Sequence, residues 1–213
     1  MKNVTWGIIA LLSLSSSFAQ SNQTASQIIA NVQKKYNQTS DAIIHFTQTV
    51  VYPLSKISKT IHGTLFIKKE NHYKIVTDEK TIVTDGKTSW IYSPETNQVI
   101  IDNFREDENT ITPDKFLLNV PLNYFAVLLS TSKDTTGEVY ILRLTPKNDN
   151  SFIRSIKIWV NSNWTVRSAE VSDMNDVRYI YSVDKISLNT NMSYSEFKLI
   201  PPKGAQILDL RNH

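Results

Sequence analysis

Few side chains in this sequence could act as catalytic acids, bases or nucleophiles, and their spacing forms no recognisable active site. The four histidines are His45, His62, His72 and His213. No cysteine is present, and neither a zinc-binding H-x-x-x-H or H-E-x-x-H motif nor the G-x-S-x-G elbow of hydrolases occurs. Carboxylates cluster at 106–108 and 173–176, in stretches typical of solvated turns. The sequence therefore predicts a protein that is not an enzyme and that binds no metal or cofactor.

Charge and glycine content argue against nucleic-acid and nucleotide partners. The formal net charge is only +3, the basic residues are scattered, and five glycines are present in 213 residues. Nucleic-acid binding normally requires a basic stripe, and phosphate-binding loops require glycine-rich motifs that this sequence lacks. We expect no nucleic-acid partner and a monomeric protein.

The chemistry that the sequence does offer is apolar binding by side chains that alternate along strands. In the stretch 81–101, Asp85-Gly86 predicts a type I′ hairpin turn, and 93–97 predicts a second turn. Trp90 and Tyr92 alternate with Ile91, so two large aromatic rings share one face of an antiparallel meander. Such a face is either ordinary sheet core or the wall of an apolar cavity.

The wall candidates are bulky apolar residues that recur with a period of two or lie in apolar helical segments. They are Phe46, Leu65, Tyr73, Ile75, Trp90, Tyr92, Val99, Ile101, Phe116, Leu117, Phe125, Leu128, Ile156, Ile158, Tyr179 and Tyr181. The sequence does not determine which face of the sheet is concave, so each residue could instead pack beneath a helix. On the concave face of a curled sheet, apolar side chains in such positions would line an apolar cavity.

The elements that position these residues are mostly strands. Apolar residues at helical spacing predict one N-terminal helix over 22–37, with Thr24 or Ser26 as its N-cap. Six strands are expected between this helix and residue 104, and five more between 139 and 199, the last being the short segment 197–199. Residues 207–209 are expected to dock back onto the sheet. The predicted fold is mainly β (α+β): an incomplete, strongly curved antiparallel β-barrel of about 11 strands with helices covering its mouth.

A second, broken helical segment is predicted over 112–130. Thr112-Pro113 starts it, Pro121 interrupts it, and Tyr124, Val127 and Leu128 continue it to Ser130. Two interpretations remain open: a lid that fills the cavity when it is empty and swings out on loading, or a helix packed permanently on the sheet.

The first nineteen residues predict a secretory signal peptide. A short basic start precedes an apolar run that is too short to be a permanent membrane anchor, and Ser17-Phe18-Ala19 supplies small residues where a signal peptidase cleaves. We expect cleavage after Ala19, a single domain over 20–213 and a periplasmic location.

Four stretches resemble the LolA family of periplasmic outer-membrane lipoprotein carrier proteins. They are Phe46-Thr47-Gln48, the segment 63–69, the meander with Thr84-Asp85-Gly86-Lys87 and 90–94, and Phe197 with 201–204. The resemblance covers the mature chain in order. It implies an incomplete barrel whose cavity shields the acyl chains of lipoproteins, received from an inner-membrane lipoprotein-releasing ABC transporter and delivered to an outer-membrane receptor.

One departure from the family pattern concerns the lid. Where the family typically has Arg followed by Pro, this sequence has Lys69 and Glu70. In the family, the Arg hydrogen-bonds to the lid and keeps the empty form closed, so the resemblance implies a latch at Lys69. Lysine lacks the planar fork of arginine, and a weaker latch is expected. A lipid- or lipoprotein-sensing module on the same scaffold is the alternative function.

Overall fold

The structure, a computed structural model, describes residues 23–105 and 123–211. Within these ranges the chain forms one α-helix, twelve strands and one short 3₁₀ helix. The elements are α1 (Ala25–Asn37), β1 (Asp41–Tyr52), β2 (Ile57–Lys68), β3 (His72–Thr77), β4 (Thr81–Asp85), β5 (Thr88–Ser93), β6 (Gln98–Asn103), β7 (Tyr124–Asp134), β8 (Gly137–Pro146), β9 (Ile153–Asn161), β10 (Val166–Asp173), β11 (Arg178–Leu188), the 3₁₀ helix (Tyr194–Phe197) and β12 (Gln206–Asp209). The predicted signal peptide and the candidates Phe116 and Leu117 lie outside these ranges.

All twelve strands belong to one open, curved sheet, which confirms the predicted fold class. The strand order is β12-β6-β5-β4-β3-β2-β1-β11-β10-β9-β8-β7. Neighbouring strands are antiparallel, except that β12 pairs in parallel with β6. This last pairing confirms that residues 207–209 return to the sheet. β1 lies at the centre because it pairs with β2 on one side and with β11, from the other half of the chain, on the other.

Helix α1 begins and ends close to its predicted limits. Thr24 is the N-cap: its hydroxyl accepts a hydrogen bond from the amide of Gln27, and the Gln27 side chain accepts one from the amide of Thr24. This reciprocal capping box satisfies amides that have no partner within the helix. Ile28 and Val32 are fully buried, so the predicted apolar stripe packs onto the sheet.

Two apolar cores lie on opposite faces of the sheet. The larger core joins α1 to the inner face of β1–β3 and β8–β11. The smaller core lies on the outer face of β4–β6, where Phe197 and flanking residues of the C-terminal segment cover Val83, Trp90 and Val99. The side-chain period of two makes this division possible, since each strand presents alternate residues to each face.

Two predicted elements are wrong. Residues 124–130, predicted as helix, belong to strand β7, because Tyr124, Ala126 and Leu128 alternate with exposed residues and pair with β8. Residues 197–199 were predicted as a strand, but the fully buried Phe197 is the last residue of a 3₁₀ helix, and residues 198–199 belong to no strand. In both places tertiary packing, rather than local spacing, determines the conformation.

The first predicted hairpin also has a different turn. Only Gly86 has a positive φ (+80°), whereas a type I′ turn needs two such residues. The carboxylate of Asp85 instead accepts hydrogen bonds from the amides of Lys87 and Thr88. A Cβ on Gly86 would lie 2.5 Å from the carbonyl oxygen of Glu70, so the turn packs against the β2–β3 connection.

Candidate functional site

The inner face of the sheet forms a continuous apolar surface, which we call the inner wall. Strand register fixes its members: Phe46 is opposite Gly63 and Val183, and Ile44 is opposite Leu65. Leu65 in turn is opposite Ile75. Nine predicted candidates lie on this wall, namely Phe46, Leu65, Tyr73, Ile75, Leu128, Ile156, Ile158, Tyr179 and Tyr181. The folded sheet therefore brings candidates from six strands together, and Leu128, predicted in a helical segment, joins them from strand β7.

A polar contact lies amid the apolar side chains of the inner wall. Tyr181 is fully buried, its ring meets Phe46 edge to face at 6.2 Å between centroids, and its hydroxyl accepts a hydrogen bond of 3.0 Å from Gln48 Nε2. Burial raises the pKa of the nearby Tyr179 hydroxyl, and the carboxylate of Asp173 raises it further. The Tyr179 phenol therefore stays neutral at physiological pH, as an apolar binding surface requires.

Helix α1 covers part of the inner wall and is tied down at its C-terminal end. Lys69 Nζ donates a hydrogen bond of 2.8 Å to the backbone carbonyl of Asn37, the last residue of α1. A cation is favourable there because the last carbonyls of a helix carry partial negative charge. The latch predicted at Lys69 thus has its described partner on α1. The prediction that its partner lies in or near 112–130 is not supported by this contact.

Four predicted wall residues lie on the opposite face. Trp90 is opposite Val83 and Ile101, and Tyr92 is opposite Val99, so these rings point to the outer face that Phe197 covers. The prediction that they line the same surface as Phe46 is wrong. The residues at the corresponding inner positions are Ile82 and Ile91, since Ile75 pairs with Ile82 and Ile82 with Ile91.

Phe125 is also misplaced by the prediction. It lies on the outer face of β7 with 61% of its side-chain surface exposed, whereas its neighbours Tyr124 and Ala126 pack on the larger core. Phe125 and Leu128 were both predicted as wall residues in a helical segment, where residues three apart can share one side. In the strand they lie on opposite faces.

Several wall residues were not among the candidates. Leu142, Leu144, Ala169 and Val171 are fully buried in the larger core beside Ile156 and Ile158. Their alternation with polar residues in β8 and β10 was visible in the sequence, and bulk alone was a poor criterion for choosing wall residues.

A small crevice opens where the C-terminal half of α1 meets the sheet. Val32, Tyr36, Trp164, Val166, Ile186 and Leu188 contribute to its lining, and its volume of about 10 Å³ holds no more than one water molecule. A hydrocarbon that entered this crevice would therefore have to displace the side chains that line it.

Other kinds of site find no support in the part of the chain that the structure describes. No cluster of three or more His, Asp or Glu side chains could hold a metal ion there. No helix in these two ranges is both long and apolar enough to cross a bilayer.

Comparisons with known proteins point to one family. The family model for "Outer membrane lipoprotein carrier protein LolA" matches residues 37–200. An outer-membrane lipoprotein carrier protein of Glaesserella parasuis is 28% identical over 194 residues, which cover 87% of each chain. That of Pasteurella multocida is 27% identical over 214 residues and 99% of each chain. The crystal structure of an uncharacterised conserved protein from Thermus thermophilus has the same fold: TM-score 0.59, 14% identity, 88% of this chain and 99% of that one.

Proposed function

This chain belongs to the LolA family of outer membrane lipoprotein carrier proteins, and we propose that it carries acylated lipoproteins through the periplasm from the inner to the outer membrane. The observation that supports this most directly is the inner wall, an apolar surface built from strands of both halves of the chain and covered by a helix rather than by a second sheet. The proposed role is transport, without catalysis, in a chain whose residues 1–19 serve as a signal peptide.

The physical need for such a surface follows from the cargo. A buried methylene group contributes about 0.8 kcal/mol, so one long acyl chain left in water costs on the order of 10 kcal/mol. A lipoprotein crosses an aqueous compartment only if its acyl chains stay covered. In our proposal the acyl chains lie against Phe46, Leu65, Ile158 and Tyr181, the central part of the inner wall.

Release requires something that competes with the cargo for the same wall. Helix α1 does so in our proposal, because Ile28 and Val32 occupy inner-wall surface that the acyl chains would take. When α1 returns to the wall, the area it buries offsets part of the free energy of cargo binding. Lys69 supports the return by binding the carbonyl of Asn37. We also propose a lid role for residues 112–122, which lie outside the described residues.

The proposed partners follow from the family. An inner-membrane lipoprotein-releasing ABC transporter would supply the cargo, and an outer-membrane lipoprotein receptor would accept it. If the inner wall makes the main contacts with cargo, the carrier recognises the acyl chains of a lipoprotein rather than its polypeptide.

The test compares one lipoprotein with and without its lipid. The exported, processed protein is mixed, without detergent, with a purified acylated lipoprotein, or with the same lipoprotein whose acylated cysteine is replaced by serine. Size-exclusion chromatography should show a soluble complex with the acylated form alone. Equal binding of both forms, or aggregation of the acylated form despite excess carrier, would refute the proposal.

A further inference from the structure

The outer face of β7–β9 carries exposed apolar side chains beside basic ones, and the proposed carrier function does not use it. On β7, the edge strand of the sheet, Phe125 is 61% exposed, Val127 58% and Leu129 41%. We call these three residues the β7 row. At the other end of the sheet the outer face is covered by the C-terminal segment around Phe197, so an uncovered apolar row on a β-sheet face needs an explanation.

Three cations adjoin the β7 row. Register places Arg143 directly opposite Val127, and Lys157 directly opposite Arg143. Lys147 Nζ lies 5.6 Å from the ring centroid of Phe125, and Lys157 Nζ lies 4.8 Å from that of Trp159. Apolar, aromatic and basic side chains thus share one continuous outer surface, formed by β7, β8, β9 and the residue that follows β8.

The pairing of Arg143 with Lys157 is unfavourable for the folded protein on its own. Like charges directly opposite each other on adjacent strands repel. In the described part of the chain neither residue forms an ion pair. Glu170 on β10 is directly opposite Lys157, but its carboxylate pairs with Arg178 at 3.7 Å. Arg143, Lys157 and Arg178 thus outnumber the one carboxylate beside them, and such an excess of positive charge would attract an extended anionic surface.

From this arrangement we infer that the outer face of β7–β9 docks on a bilayer that contains anionic phospholipid. Basic side chains gain energy near such a surface without detailed shape matching, and an adjoining row of exposed apolar side chains enters the interface. A bilayer neutralises Arg143 and Lys157 together, whereas one acidic side chain of a protein partner would pair with one of them. The inference goes beyond the proposed function, since it concerns the protein without cargo.

The test uses cargo-free protein and vesicles of phosphatidylcholine with or without about 30 mol% phosphatidylglycerol. Wild-type protein should sediment with the phosphatidylglycerol vesicles at low salt, and less at high salt because ions screen exposed charges. A basic side chain near an anionic bilayer contributes about 1 kcal/mol of binding free energy, and about 1.4 kcal/mol changes affinity tenfold. Because the R143Q/K157Q variant loses two such charges, it should bind these vesicles roughly 30-fold more weakly. The matched control is K80Q/K87Q, which removes the same charge from two exposed turn positions on the other half of the sheet.

Loss of folding should not explain weaker binding by R143Q/K157Q. The two substitutions remove the repulsion between Arg143 and Lys157 together with the attraction between Lys157 and Glu170, and these opposing effects are of similar size. A second measurement uses the natural absence of cysteine. An environment-sensitive fluorophore on V127C should shift to shorter wavelength with phosphatidylglycerol vesicles, and the same label on K87C should not.

Three outcomes would overturn the inference. The first is that wild-type protein does not bind phosphatidylglycerol vesicles. The second is that K80Q/K87Q loses as much binding as R143Q/K157Q. The third is that a photoreactive residue at position 125 crosslinks to a membrane protein but not to lipid. A failure here leaves the acylated-lipoprotein test unaffected, since no vesicle is present in that experiment.

Discussion

Gly63 shows how a missing side chain shapes the inner wall. A Cβ at this position would lie 2.5 Å from Cζ of Phe46, whose ring occupies the space above the glycine on the neighbouring strand. A glycine inside a strand often marks a bulge or a close approach, and at Gly63 the structure shows the close approach, with regular β1–β2 pairing on both sides. Phe46 is thereby held flat against the sheet, beside Tyr181.

We expect Gly63→Ala to destabilise the protein by about 1–3 kcal/mol, because overpacking forces the Phe46 ring from its position. Urea unfolding followed by circular dichroism measures the change. The double variant Gly63→Ala/Phe46→Leu should lose less than the sum of the two single losses, since residues in contact couple. Additive losses would show that the ring does not depend on the glycine.

Asp41 is a buried carboxylate that joins the start of β1 to the C-terminal segment. Its side chain accepts hydrogen bonds from the hydroxyl and amide of Thr190 and from the amide of Met192, and Lys68 Nζ lies 3.7 Å away. Burial raises the pKa of Asp41, but the hydrogen bonds from Thr190 and Met192, together with the charge of Lys68, hold it below its ordinary value of 3.8.

The lowered pKa of Asp41 predicts a stability that falls in acid. A carboxyl group whose pKa is lower in the folded protein stabilises the fold above its ordinary pKa, and this contribution is lost as the pH falls through the lowered value. Asp41→Asn should cost about 3–5 kcal/mol at neutral pH, since Lys68 loses its buried partner. The difference between wild type and variant in urea titrations should shrink below pH 3.8. A constant difference would contradict this account.

The β4–β5 hairpin shows why the face of a strand was harder to predict than the strand itself. Trp90 and Tyr92 alternate as predicted, but a shift of one residue in register moves a whole strand's side chains to the other face. Here the inner positions go to Ile82 and Ile91. The large size of these aromatic rings led to the prediction that they form the wall, whereas the rings pack in the smaller core beneath Phe197.

This assignment predicts different effects for two changes that each remove one aromatic ring. Trp90→Leu should lower stability by about 1–3 kcal/mol and leave the amount of acylated lipoprotein bound unchanged. Tyr181→Leu should reduce cargo binding, because Tyr181 lies in the centre of the inner wall. Size-exclusion chromatography of folded variants with acylated lipoprotein measures both. Loss of cargo with Trp90→Leu alone would place the binding surface on the outer face.

The C-terminal end of α1 is the other element whose role differs from the prediction. We expect Lys69→Leu to increase hydrogen exchange in residues 32–38 about two- to five-fold, since one hydrogen bond contributes about 0.5–1 kcal/mol. Lys69→Arg is the control, because it retains a donor. Cargo uptake should remain, and transfer to outer membranes should become less efficient in Lys69→Leu. Unchanged transfer would mean that the contact with Asn37 plays no part in release.

For the molecule as a whole, the period of two in the sequence was sufficient to predict a mainly β fold, and helical spacing was sufficient to predict the N-terminal helix. It was insufficient for 124–130, where Tyr124, Val127 and Leu128 fit helical spacing as well as Tyr124, Ala126 and Leu128 fit a strand. Pairing with β8 decides between them, and a single segment of sequence does not contain that partner. The same limit applies to Phe197, whose burial depends on β4–β6.

The arrangement of the two cores predicts which parts of the molecule move when cargo binds. The larger core includes α1, whose Ile28 and Val32 occupy the inner wall, whereas the smaller core lies on the other face and is closed by the C-terminal segment. Hydrogen exchange with and without acylated lipoprotein should therefore show loss of protection in residues 25–37. Protection in 88–103 and 206–209 should stay unchanged. The unacylated lipoprotein is the control and should change neither region. If loading leaves α1 fully protected, α1 is permanent core, and any competition with cargo must come from another segment.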